Sequence, residues 1–314
     1  MIPAFQAART IGAVLAGIPS WVRFIVVVDD ASSDGTADAA RNAADARVEV
    51  IAHEQNGGVG AAVLTGYAAA VARGAEILVK MDADDQMDPA ALPALVMPII
   101  RGEADYVKAN RFLHARQLGS MPASRRFGNV MLSFLTKLAS GYWPIFDPTN
   151  GYTALHASVF KILDRDAVAK RFFFETSLLL ELSRARAVVL DAYVPARYPG
   201  SQSHLSPRRA ATEFPPRLFR GFLRRIVLQY FVRDFTAVSL YIVAGIVLSL
   251  FGFVWGVWHW VLSIQTGVPA TTGTVMLAVL PLILGVQLVL QAVALDIDSV
   301  PTRPLHRASA LADA

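Results

Sequence analysis

The chain's clearest chemistry lies in two acidic clusters. Met81-Asp82-Ala83-Asp84-Asp85-Gln86 follows an apolar run and sets Asp82 and Asp84 two positions apart. Residues two apart on a strand project to the same side, so at a strand tip this pair is a hard-oxygen site. It suits Mg²⁺ or Mn²⁺ bridging a diphosphate, because such ions take one or two carboxylates and complete their shell with phosphate oxygens. A solvated turn is the competing reading of the same residues. The second cluster, Asp29-Asp30-Ala31-Ser32-Ser33-Asp34-Gly35-Thr36, also follows an apolar run. Its short polar side chains can bond a base and ribose, or cap the helix that follows. With no cysteine in the chain, disulfides, thiolate metal sites and a cysteine nucleophile are excluded.

Both clusters need a scaffold that ends apolar strands at one edge. Phe24 to Val28, Val48 to Ala52 and Glu76 to Met81 are such runs, and each leads into acidic residues or glycines. Ala-rich stretches at 36–46, 61–73 and 89–101 alternate with them. This rhythm predicts βαβ units on a mostly parallel, Rossmann-like sheet, whose strand carboxyl ends form the ligand-binding edge. Further on, the pattern predicts a strand over 106–109, helices near 124–140 and 175–186, and a strand over 187–190.

Composition separates the rest of the chain. Of 314 residues 54% are hydrophobic and only 17% charged, against about 25% charged in a soluble domain. The excess is segmental, since Phe235 to Leu295 contains no Asp, Glu, Lys or Arg. Two spans fit there, 237–262 and 275–295, each about 20 apolar residues or more. Between Pro207 and Arg233, seven arginines (Arg208, Arg209, Arg217, Arg220, Arg224, Arg225, Arg233) stand against one acid, Glu213, with Phe and Leu at spacings of three and four. That pattern predicts an amphipathic helix on a membrane surface, or a basic helix packed on the first domain. Arginines flank both spans while the turn between them is uncharged, so both termini are expected in the cytosol of a multi-pass cytoplasmic-membrane protein. No secretory signal is read at the start. The expected divisions are 1–206, 207–234, 235–295 and 296–314.

Taken together, DDASSDGT (29–36), Asn56-Gly57-Gly58-Val59-Gly60, MDADDQ (81–86) and DPTNGY (147–152) resemble, in this order, the family-2 inverting glycosyltransferases of GT-A fold. Within that family the chain most resembles the dolichol-phosphate mannosyltransferase-like branch, which loads sugar onto a polyprenyl phosphate. The resemblance runs from Ile2 to about Phe235. It implies a donor side built from Pro3, Ala4, Asp29, Asp30, Asp34, Asn56, Gly58, Asp82, Gln86 and Arg197. Asp29 and Asp30 would hold the base and ribose, Asp84 the metal, and Gln86 would face the sugar. Asp147 resembles the aspartate facing the acceptor, as base for a hydroxyl or as an orienting group for a phosphate; a turn residue before Pro148 is its other reading. Lys108, Arg111, Arg125 and Arg126 fall in the segment of the acceptor side, where arginine's planar fork suits a phosphate.

Departures from the family pattern are specific. The first strand is nearly absent, which leads to the expectation of further apolar residues before Ile2, and Gln6-Ala7 replaces an Asn-Glu pair. In the loop Gly200 to Leu205, His204 stands where lysine is usual, so closure over the diphosphate is expected to be weaker or pH-dependent. The expected partners are a UDP- or GDP-linked sugar, a polyprenyl phosphate, the membrane and a second copy through the spans, with no nucleic acid. Transfer to a lipid or glycan hydroxyl and a non-catalytic scaffold remain alternatives. A processive synthase is disfavoured, as no Q-x-x-R-W motif occurs.

Overall fold

The computed structural model describes residues 1–43, 45–110, 123–194 and 207–307. In chain order the elements are β1 (Ile2–Ala4), α1 (Ile11–Gly17), β2 (Ile25–Asp29), α2 (Thr36–Arg41), β3 (Val48–Ala52), α3 (Val59–Ala72), β4 (Ile77–Lys80), α4 (Leu92–Ile100) and β5 (Tyr106–Asn110). Then follow α5 (Ala123–Ser140), β6 (Thr153–His156), α6 (Ala157–Ile162), α7 (Phe174–Ala185), β7 (Val189–Tyr193), α8 (Pro207–Val227), α9 (Ala237–Thr266) and α10 (Thr272–Asp298).

The β-branched run of β2 is buried along its whole length because helices cover both of its faces, as a continuous apolar strand requires. Ile25 and Val27 pack with Ile11, Val14, Leu15, Leu92 and Leu95, while Val26 and Val28 pack with Ala62. Strands β1, β2 and β3 pair in parallel, with Ile2 opposite Val27 and Val27 opposite Val50. The short opening segment therefore does form a strand. The Met1 backbone continues it towards β4: the amine donates to Val79 O at 2.6 Å and the carbonyl accepts from Met81 N at 3.1 Å.

Beyond β4 the order is β4-β6-β5-β7. Here the expectation of parallel pairing gives way locally, since β6 runs antiparallel to both β4 and β5 while β5 and β7 are parallel. Wedged between β4 and β5, β6 carries the chain directly out of the loop that holds Asp147.

Packing groups the chain into two compact units, one of Met1–Phe222 with the stretch that begins at Pro301, the other of Leu223–Val300. In the first unit, Phe214 and Leu218 of α8 are buried with Ala139 and Phe173, the Phe173 and Phe214 rings meeting edge to face at 5.0 Å. In the second, α9 and α10 are each long and apolar enough to cross a bilayer. They approach closely at Gly245 and Gly285: a Cβ on Gly285 would lie 2.4 Å from Ser249 Oγ and 2.7 Å from Gly245 O. Arg225, counted above with the surface arginines, is buried instead. Its guanidinium makes two bonds to Asp296, of 2.6 and 3.1 Å, and Tyr230 Oη donates to the same carboxylate at 2.6 Å.

Candidate active site

The end of β2 turns sharply at Ala31, in the left-handed region at φ 60°. Of the two adjacent acids, Asp30 is fully engaged. Its carboxylate accepts from Gly57 N at 2.9 Å and Gly58 N at 2.7 Å and lies 2.8 Å from His53 Nδ1, while its backbone carbonyl accepts from Asn56 Nδ2 at 3.2 Å. Gly60 N and Ala61 N, at the start of α3, donate to Lys170 O. A Cβ on Gly58 would sit 2.5 Å from that same carbonyl. The Asn56 to Gly60 segment is thus a closed loop whose shape depends on Asp30, and the side chains of Asp30 and Asn56 serve it from within. Asp29 is held more lightly, accepting from Ser32 N at 3.3 Å.

Asp34 caps α2. It accepts from Thr36 Oγ1 at 2.5 Å and Thr36 N at 3.1 Å, and from Ala8 N at 3.0 Å, and these bonds, the Thr36 hydroxyl first, hold its carboxyl below the usual range. Gln6, at the position of the Asn-Glu departure, has φ 54° and donates through Nε2 to Ser33 Oγ at 3.0 Å. Pro3 and Ala4 lie on β1, where Ala4 O accepts from Asp30 N at 2.9 Å, so this strand supports the acidic loop through its backbone.

At the end of β4, Lys80 is 1% exposed. Its Nζ is 2.6 Å from Asp82 Oδ1 and 3.3 Å from Oε1 of Glu175, in the first turn of α7. Burial works against the ammonium, but the two carboxylates outweigh it and hold its pKa above the ordinary lysine value. Burial likewise pushes the Glu175 carboxyl up, with Lys80 opposing. Asp84 accepts from Gln86 N at 3.1 Å. Partial loss of hydration, then the neighbouring Asp82 charge, raise its carboxyl above the usual range. Among the described residues no three His, Cys, Asp or Glu side chains cluster as a metal cage. Asp82 and Asp84 offer two carboxylates at a strand end, and that donor set fits Mg²⁺ or Mn²⁺ sharing its shell with phosphate oxygens.

Asp147 occupies the left-handed region at φ 54° and is 3% exposed. Asn150 Nδ2 donates to its Oδ2 at 3.2 Å. The loop is fixed from below by Lys108, whose Nζ donates to Phe146 O and, at 2.8 Å, to Asp147 O, and lies 3.2 Å from Asp191 Oδ1. Asp191 Oδ2 in turn accepts from Phe146 N at 2.7 Å and Asn110 Nδ2 at 2.9 Å. Lys108, expected among the acceptor-side cations, is 0% exposed, and its ammonium is instead an internal post beneath the Asp147 loop. Arg125 and Arg126 lie near the start of α5. Arg111, Arg197 and the Gly200 to Leu205 loop with His204 lie outside the described residues.

Lys80, Glu175, His53 and Asp191 join the site only through the fold. Lys80 carries a readable signal, as a lone cation inside the apolar run ILVKM, two positions before Asp82. Glu175 and Asp191 carried none, because their partners lie far away in the chain.

An α/β sheet with acidic strand ends at one edge is the architecture of a GT-A glycosyltransferase. The solved glucosyl-3-phosphoglycerate synthase of Mycobacterium tuberculosis, in complex with uridine diphosphate, superimposes with a TM-score of 0.52 at 20% identity, covering 71% of this chain and 78% of that one. Another complex of the same protein, holding Mn²⁺, uridine diphosphate and phosphoglyceric acid, gives a TM-score of 0.51 at 18% identity, covering 74% and 78%. The sequence profile of glycosyl transferase family 2 matches residues 1–163, and the chain belongs to that family. It is 33% identical over 187 residues to the UDP-N-acetylglucosamine–dolichyl-phosphate N-acetylglucosaminyltransferase of Methanococcus voltae, covering 55% of this chain and 74% of the relative. With the undecaprenyl-phosphate mannosyltransferase of Micrococcus luteus it shares 32% identity over 163 residues, covering 51% and 66%.

Proposed function

We propose that this glycosyltransferase is membrane-anchored and moves a sugar, with inversion, from a UDP- or GDP-linked donor to a polyprenyl phosphate. The observation that carries the reading is the union, in one chain, of the Asp82 and Asp84 strand end with two helices long and apolar enough to cross a bilayer. The two relatives, named for transfer to dolichyl and undecaprenyl phosphate, support this acceptor class. The Mn²⁺ and uridine diphosphate complex of a protein of the same fold is consistent with a divalent ion and a nucleotide as partners.

On this reading Asp84, with Asp82, would hold Mg²⁺ or Mn²⁺, which would supply charge compensation for the departing nucleoside diphosphate. Asp29, lightly held, takes the base or ribose, while Asp30 keeps the adjoining loop in shape. The acceptor oxygen attacks the anomeric carbon in line as the bond to the diphosphate breaks. A phosphate monoester, with a second pKa of about 6, is largely dianionic near neutrality, so no strong base is required. Asp147, buried and bonded to Asn150, then orients the acceptor. Arg111, Arg125 and Arg126 supply the positive charge an anionic acceptor needs. The donor side faces the cytosol, where nucleotide sugars are made, and the arginines before α9 keep that side inward. Exposed Phe219, Leu223 and Val227 on α8 meet the lipid surface.

The test is the purified full chain in detergent with undecaprenyl or dolichyl phosphate and a panel of UDP- and GDP-sugars, with and without Mn²⁺. The expected result is a glycosyl phospholipid from one donor, formed only with the metal. Transfer to a lipid hydroxyl in preference to the phosphate overturns the acceptor class.

A further inference from the structure

Lys80 and Glu175 have no place in the transfer as described, yet they are built into the donor edge. An ammonium buried inside a strand is costly unless it is paired and hydrogen-bonded, and Lys80 meets both Asp82 and Glu175. The charges matter as much as the bonds. With Lys80 alone, Asp82 would be neutralised in place and would offer little to a cation. Glu175 shares Lys80, so the three groups keep a net charge of −1 and Asp82 retains its attraction for a divalent ion. A second contact comes from above. Gly151, in the loop that begins at Asp147, crosses so closely that a Cβ there would lie 2.3 Å from Lys80 Nζ and 2.7 Å from Asp82 Oδ2.

We propose that Lys80, held by Glu175, is a positioning residue that sets the Asp82 carboxylate on the donor side and seats the Gly151 end of the Asp147 loop on the acceptor side. One buried ammonium thereby fixes the spacing between the two halves of the site. The proposal rests on the donor-site reading above and adds a coupling that the motifs by themselves do not contain. It also explains why the loop residue over Lys80 is glycine: any side chain would push Asp147 away from the donor edge or lift Asp82 off its partner.

The experiment uses the full chain in detergent with two mild variants, Glu175→Gln, which keeps shape and removes charge, and Gly151→Ala, together with the double variant. Mn²⁺ binding with UDP or GDP, followed by electron paramagnetic resonance, is read beside kcat and KM. Groups that orient metal ligands from behind typically change affinity by about 10- to 100-fold. Glu175→Gln is expected to weaken Mn²⁺–nucleotide binding by about 10-fold at unchanged secondary structure. Gly151→Ala should lower kcat as well as binding, and the double variant should lose less than the product of the single losses, because both act through Lys80. Strictly multiplicative losses, or lowered melting temperatures with Mn²⁺–nucleotide affinity intact, overturn the proposal. A parent chain that binds Mn²⁺ and nucleotide but glycosylates no polyprenyl phosphate overturns only the acceptor assignment, since the binding series still reads the positioning. A parent that binds Mn²⁺ with neither UDP nor GDP overturns both.

Discussion

His306 Nδ1 lies 2.7 Å from Oδ1 of Asp105, 201 residues earlier in the chain. Asp105 is 0% exposed, and its two oxygens also accept from the backbone N–H groups of Val188, Leu305 and His306. Next to it, a Cβ on Gly102 would lie 2.4 Å from Arg307 Nε. The chain that follows the second long helix therefore belongs to the same compact unit as the catalytic sheet.

The first prediction follows from this acceptor set. Asp105→Asn replaces one oxygen by a donor that would face N–H groups, leaving buried donors unsatisfied at about 1–3 kcal/mol each. Melting of the catalytic unit should drop by several degrees. Deleting residues from 301 onward should lower it similarly, as read by near-ultraviolet circular dichroism; a deletion with unchanged melting would show that the tail is not part of the folded unit.

A pH dependence accompanies the same contact. His156 stacks on His306, with ring centroids 4.4 Å apart, and burial first, His306 second, lower its pKa from the ordinary 6.5. Between the lowered value and 6.5 the unfolded chain binds more protons than the folded one, so stability rises with pH across that window. It should be fully present above about pH 6.5 and lost as the pH falls below it. His156→Asn, which keeps an acceptor for Ser158 N, should flatten this slope in melting curves taken from pH 8 to 5.5.

On the proposed reading, Asp84 trades stability for function. It is raised in pKa by partial desolvation and by the Asp82 charge, so its ionised form is mildly unfavourable in the free protein. Asp84→Asn should cut transfer by roughly 10²-fold or more, as loss of one such electrostatic group commonly does, while the melting temperature stays level or rises. Activity within a few-fold of the parent at saturating donor would remove Asp84 from the metal site.

Lys108 and Asp147 give a contrasting pair. Lys108→Met would strip the partly buried Asp191 of its counter-charge, a change that costs up to about 3–5 kcal/mol when a buried pair is broken, and should destabilise the loop or the domain. Asp147→Asn keeps the bond to Asn150 within reach and tolerates the left-handed backbone, as asparagine does. With a phosphate acceptor it should leave measurable transfer, with the loss mainly in acceptor KM. A hydroxyl acceptor would need Asp147 as base, and the same variant would then be inactive.

How much of this was legible in the sequence depends on the range of the interaction. Strands β2, β3 and β4 announce themselves as apolar runs that stop at acids or glycines, whereas Asp82 and Asp84 lie beyond Lys80, the last residue of β4, in the irregular segment and turn that follow, so strand periodicity does not set their common side. The charge-free stretch points to two long helices, but α9 runs on to Thr266 and α10 from Thr272 to Asp298, past the charge-free limit at Leu295. Strand β6 was hidden because Thr153 to His156 is short and directly follows a turn-rich loop, and nothing local tells that it inserts antiparallel between β4 and β5. Lys108 read as a cation for phosphate because its partners, Phe146 O and Asp191, come from elements that only the fold brings together. Asp30 and Asp34 look alike in DDASSDGT, yet one holds the glycine loop and the other caps α2. Side-chain type gave the chemistry of each, and long-range hydrogen bonds decided the use.

The last prediction separates arginines that look equivalent by spacing. Arg220 and Arg224 are exposed, whereas Arg225 is buried against Asp296. Basic side chains near an anionic leaflet contribute roughly 1 kcal/mol each, a contribution that salt weakens. Arg220→Gln with Arg224→Gln should therefore reduce transfer to long-chain polyprenyl phosphate in anionic vesicles, more at low salt than at high, and spare a short soluble analogue, because lipid positioning is impaired and the donor site is untouched. Arg225→Gln should behave differently. It leaves Asp296 with Tyr230 but without its guanidinium, destabilising the hairpin unit whatever the salt or acceptor length. Swapping the partners, Arg225→Asp with Asp296→Arg, tests whether the pair itself is what matters. Equal losses on long and short acceptors for the Arg220 and Arg224 variants would assign those residues to the fold and remove the lipid surface from their role.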